Sequence, residues 1–125
     1  MIEKFHLAHE QDSPWETWDE TPGVRQRTLV SADATPSHGL TFGVFEVLPG
    51  GELAPHHHAP QEVYYVIEGR AEIYRDGVWE AVERGDVAYI PGGAVHGMRN
   101  RTDATILLAF AFPTDTFEEI EYVDD

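Results

Sequence analysis

The residues best suited to chemistry stand together at 55–69, read as PHHHAPQEVYYVIEG. His56 and His58 are two apart, so in an extended strand their imidazoles leave the same face. Glu62 and Tyr64 repeat that spacing. Two imidazoles and a carboxylate on one inward surface suit a divalent metal ion, and a phenol beside them is a group that exchanges protons. His57 leaves the opposite face and is set aside; a slip of one residue in register would exchange it with its neighbours.

These side chains need strands to hold them. Residues 53–58 and 62–68 read as two strands across the tight loop Ala59-Pro60-Gln61. Further strands are expected at 24–30, 40–48, 71–75, 78–82, 86–90, 95–99 and 104–112, with Gly and Pro between them. Asp76-Gly77 is a hairpin signal, because Gly accepts positive φ there. Near the start, Ser13-Pro14-Trp15-Glu16 predicts a short helical turn with Ser13 as its N-cap and Pro14 at the first helical position. Residues 113–122 carry a weak helical or irregular pattern. Many short strands at close spacing imply an all-β sandwich or barrel, and 125 residues imply one domain, 1–125.

Composition narrows the classes. There is no cysteine, which excludes thiolate metal sites, disulfides and cysteine nucleophiles. The absence also suits a reducing compartment, and the first residues, MIEKFHLAHE, lack a basic region followed by an apolar run, so a cytoplasmic location is expected. No apolar run reaches membrane-spanning length. The formal charge of −15, from 23 acidic against 8 basic side chains, argues against nucleic acid as a partner.

Extended outward, the first stretch reads Gly50, five residues, His56, one residue, His58, three residues, Glu62, six residues, Gly69. A second reads Gly85, five residues, Pro91, one residue, Gly93, two residues, His96, three residues, Asn100. Both patterns, with every specified position filled, resemble the two motifs of the cupin superfamily. The resemblance implies a small single-domain jelly-roll β-barrel, its conserved part at about 24–112. It also implies a metal site made of His56, His58, Glu62 and His96. That donor set suits one divalent transition metal such as Fe, Mn, Ni or Zn, with coordination positions left for a substrate. The glycines, Pro91 and Asn100 read as turn and hydrogen-bonding residues. Small cupins commonly dimerise, so a homodimer is expected.

Tyr64 two residues past Glu62, PGVR at 22–25 and the tail FPTDTFEEIEY, which ends in Tyr122, resemble the single-domain cupin dimethylsulfoniopropionate lyases over about residues 20–123. That family implies a β-elimination in which Tyr64 is the base and Tyr122 a second pocket tyrosine. The sulfonium would rest against an aromatic face, for which Trp15, Trp18 and Tyr65 are the candidates. Trp15 and Trp18 read equally as a cover of the barrel. Two other classes stay open: a cupin dioxygenase or isomerase acting on another small organic acid, sugar or phenolic compound, and a non-enzymatic small-molecule-binding or metal-sensing cupin. In all three the partner is a small molecule.

Overall fold

A computed structural model of the chain describes residues 4–125. Its strands are β1 (Glu16–Thr17), β2 (Val24–Val30), β3 (Thr41–Val47), β4 (Glu52–His57), β5 (Glu62–Glu68), β6 (Arg70–Arg75), β7 (Val78–Glu83), β8 (Val87–Ile90), β9 (His96–Arg99), β10 (Ile106–Phe112) and β11 (Val123–Asp124). They form two antiparallel sheets, ordered β1-β2-β3-β10-β5-β8 and β11-β4-β9-β6-β7. This is the all-β architecture that the strand pattern implied, in the jelly-roll form that the motif resemblance implied. Among the described residues no helix is long and apolar enough to cross a membrane.

The inner faces of the two sheets meet in one core. Val47, Met98, Ile106, Leu108 and Phe112 are almost wholly buried there, joined by Phe45, Val66, Ile73 and Phe110. The alternation is plain in β10, whose even positions are buried and whose odd positions are only partly so. Position 43 on β3 requires glycine, because a side chain there would strike the backbone oxygen of Arg27 and the Phe110 ring. The Asp76-Gly77 hairpin has φ of 51° and 81°, both in the left-handed region that a two-residue turn of this kind requires.

The helical turn expected at Ser13 is not formed. A 3₁₀ turn runs instead over Glu10–Asp12, capped by His9, whose Nδ1 accepts from the Gln11 amide at 3.2 Å. Ser13 ends that turn, and Glu16–Thr17 pair with β2. Tertiary contact overrides the capping pattern: the Trp15 ring lies 4.2 Å from the Arg27 guanidinium and 4.8 Å from that of Arg25, which holds the segment extended against β2. The tail at 113–122 is irregular, and it ends in β11, which the sequence pattern did not announce.

Candidate metal centre and its cavity

Three strands bring the candidate ligands together. His56 lies on β4 and His96 opens β9, and the two are direct cross-strand partners. Their ring centroids are 4.3 Å apart. His58 follows the end of β4, and its ring lies 4.8 Å from that of His96. Glu62 opens β5 in the opposite sheet. Its Oε1 crosses the barrel to stand 3.2 Å from His58 Nε2 and 3.4 Å from His96 Nε2. A register shift between Leu53 and His56 brings both residues, three apart, to the buried side. All four side chains are at most 4% exposed.

The backbone fixes which imidazole nitrogen is offered. Nδ1 of His56 lies 2.8 Å from the Ala54 carbonyl, that of His58 2.9 Å from Pro60, and that of His96 2.9 Å from Ala94. A carbonyl only accepts, so each Nδ1 carries the hydrogen and each Nε2 points inward. Nε2 of His56 and of His96 is buried with no hydrogen-bond partner. Orphaned buried nitrogens are costly in a finished fold, and a cation removes the cost. One nitrogen from each of the three histidines lies within 4.8 Å of the others. Donors about 2.1 Å from a shared ion stand at most about 4.2 Å apart, so a small inward adjustment seats one. The residues therefore fit a divalent transition metal.

Electrostatics divides the cluster. Burial pulls His56 down to about 4, so it is neutral and ready to donate at pH 7. Burial opposes charge on His58 as well, but the hydrogen bond and negative charge of Glu62 outweigh it, and its pKa rises. The Glu62 carboxylate, 3.2 Å from His58 Nε2, thus favours positive charge at this point of the cluster. Burial pushes the Tyr64 phenol well above its usual range, and the Glu62 charge adds to the effect. Tyr122 moves the same way for the same reasons.

Tyr64 is 3% exposed, 5.0 Å from Phe45 and 6.0 Å from His96 between ring centroids. Tyr122 comes from the tail to stack on His56 at 4.8 Å and 25°. β11 ties the tail there, pairing Val123 with His57 and Asp124 with His56. Next to the ligands a cavity is lined by Glu62, Tyr64 and Tyr122 together with Trp18, Phe45 and Phe117. Trp18 closes it by contacts with Phe117 at 5.2 Å and Tyr122 at 5.7 Å.

Of the three aromatic candidates for a sulfonium, only Trp18 lines this cavity. Trp15 is already stacked against two of the protein's own arginines, and Tyr65, one residue from Tyr64, is 48% exposed on the outer face. His57 is likewise outside the cluster and pairs with β11. Arg25 and Arg27 each bind a carboxylate, Glu46 and Glu10. Phe117 and Gln26 are among the cavity residues that the sequence reading did not single out. Phe117 sits in a stretch with no periodicity, whereas the alternation of β2 puts Gln26 on the face opposite Arg25 and Arg27 and could have found it.

The fold and the inward His/Glu cluster define a class, and the chain belongs to the cupin family: residues 43–112 match its cupin domain. Within that family it resembles dimethylsulfoniopropionate lyase DddW of Ruegeria pomeroyi, at 37% identity over 105 residues, 83% of this chain and 68% of that one. The polyketide cyclase RemF of Streptomyces resistomycificus has the same fold, with a TM-score of 0.86 over 97% of this chain and 85% of that chain at 22% identity. So does a predicted oxalate decarboxylase of Thermotoga maritima, with a TM-score of 0.76 over 87% of this chain and 99% of that chain at 19% identity.

Proposed function

We propose that the protein is a metal-dependent carbon–sulfur lyase that splits dimethylsulfoniopropionate, or a close analogue, into dimethyl sulfide and acrylate. The observation that carries this reading is the meeting of Tyr64 and Tyr122 with Glu62 in one buried cavity beside three inward imidazoles. The likeness to DddW supports it.

His56, His58, His96 and Glu62 would hold the metal. When bound, the cation supplies Lewis acidity toward the substrate carboxylate and a positive charge that favours ionisation of a neighbouring phenol. Tyr64, as phenolate, takes the proton from the α-carbon on its Oη. The electron pair of that C–H bond becomes the second bond between the α- and β-carbons, and the β-carbon–sulfur bond breaks with its electrons leaving on sulfur. Tyr122, held flat on His56, orients the carboxylate end. Trp18 and Phe117 turn π-faces toward the sulfonium and keep bulk water out.

The test is headspace dimethyl sulfide from protein reconstituted with Fe(II), Mn(II), Ni(II) or Zn(II), with oxygen removed. Release is expected with at least one metal. Tyr64→Phe should abolish it while leaving the metal content unchanged. Silence with all four metals would sink the lyase reading, and oxygen uptake on addition of another organic acid would replace it with a dioxygenase. Full activity in Tyr64→Phe would remove the tyrosine from the role of base.

A further inference from the structure

Gln26 is the one buried residue of β2, at 9% exposure, and it lines the cavity among Phe45, Phe117 and Trp18. It is paired with Phe45 on β3 and lies three strands from β5, which carries Glu62. An amide in such a setting costs stability unless its polar atoms are used. Its Nε2 donates to Thr28 Oγ1 at 3.2 Å. With the nitrogen anchored there, the carbonyl oxygen is the opposite end of the amide. The amide dipole thus stands in the cavity wall together with these rings. The guanidinium nearby, Arg25, is neutralised by Glu46, so an anionic group would find no free cation at this end.

We propose that Gln26 is a specificity-determining residue of the cavity: its carbonyl oxygen, oriented by Thr28, selects a ligand whose end remote from the carboxylate is a cationic onium group. This rests on the lyase reading for the placement of the carboxylate at the metal. The rings supply π-faces that any apolar group could occupy. The carbonyl dipole favours positive charge over an uncharged group of equal shape, and it adds to the Glu16 carboxylate of the same lining in strengthening the preference that rings alone leave weak.

The experiment uses two acids that resist elimination and differ only in charge: 3-(trimethylammonio)propionate and its carbon isostere 4,4-dimethylpentanoate. Binding to Zn(II)-loaded protein is followed by titration calorimetry. Wild type is expected to prefer the onium acid by about tenfold or more, and Gln26→Leu to reduce that preference to about threefold or less. Unchanged affinity of Gln26→Leu for 4,4-dimethylpentanoate shows that the cavity is intact. Gln26→Glu, which keeps the acceptor and adds charge, should retain or enlarge the preference. Equal affinities in wild type, no binding of either acid, an undiminished preference in Gln26→Leu, or a Gln26→Glu variant that behaves like Gln26→Leu would each overturn the inference. The two readings fail separately. Onium preference without dimethyl sulfide release discards the lyase alone, whereas release with an unchanged KM in Gln26→Leu discards the role of Gln26 alone.

Discussion

Asn100 closes the second sequence motif, yet its geometry assigns it to the scaffold. It is 1% exposed. Its Nδ2 donates to the carbonyls of Val47 at 2.9 Å and Ala104 at 2.7 Å, while Oδ1 accepts from the Thr102 amide at 2.9 Å and stands 2.7 Å from Thr102 Oγ1. One side chain therefore ties β9 to β3 and to the turn that leads into β10. In Asn100→Ala, Thr102 is exposed and its amide finds water, and the Ala104 carbonyl keeps the Thr102 hydroxyl at 2.9 Å. The Val47 carbonyl belongs to a wholly buried residue and loses this donor. A lost hydrogen bond of this kind costs about 0.5–1.5 kcal/mol, and the void left by the amide raises the expected loss to about 1–3 kcal/mol. Urea unfolding of metal-free protein, followed by far-ultraviolet circular dichroism, measures it; the midpoint should fall with no change in slope. Asn100→Asp should be no more stable than Asn100→Ala, because a carboxylate would face two carbonyl oxygens. A loss below about 0.5 kcal/mol, or an Asp variant that restores stability, would refute the accounting. The folded variant should still take up metal with unchanged stoichiometry.

Two further outcomes separate site from surface. Replacing His58 by Ala should weaken metal binding by more than about 100-fold, since loss even of a residue that merely supports a ligand typically costs 10- to 100-fold, while His57→Ala should leave affinity unchanged; competition with a chromogenic chelator reads both, and equal effects would put the wrong histidine in the cluster. The outer face of β5 and β8 exposes Val63, Tyr65, Ile67, Val87 and Tyr89, with Val63 opposite Tyr89 and Tyr65 opposite Val87, at a free sheet edge. On a chain with a formal charge of −15 this uncharged patch is where a second copy meets least repulsion, so a homodimer through it is expected. Sedimentation equilibrium should show twice the chain mass for wild type and a shift toward the single chain for Val87→Glu; an unchanged mass would remove this face from the interface.

Residues with a two-residue period were legible before folding. The expected strands at 24–30 and 62–68 coincide with β2 and β5, and the others differ by a residue or two at their ends. The same parity separated His56 and His58 from His57, even though a register shift interrupts β4 before the ligands. What escaped depends on contacts between distant segments. The pattern at Ser13 is a sound local cap, but Trp15 gains more by stacking on Arg25 and Arg27 than a single helical turn returns. β11 is two residues of an acidic tail and carries no apolar alternation, and its partner is the exposed edge of β4. Phe117 was invisible for the same reason: its position in the cavity wall is set by the tail's course across the barrel mouth rather than by local sequence.

The chain has three tryptophans, and they sit in different surroundings. Trp15 and Trp79 each lie under a guanidinium, whereas Trp18 rests on Phe117 and Tyr122, one ring removed from His56. Its indole is therefore a built-in optical probe of the cavity. A paramagnetic ion seated among the histidines should quench its emission, and a ligand that displaces Tyr122 should shift its colour. The other two indoles supply a steady background against which both changes can be timed, with no label added to the protein.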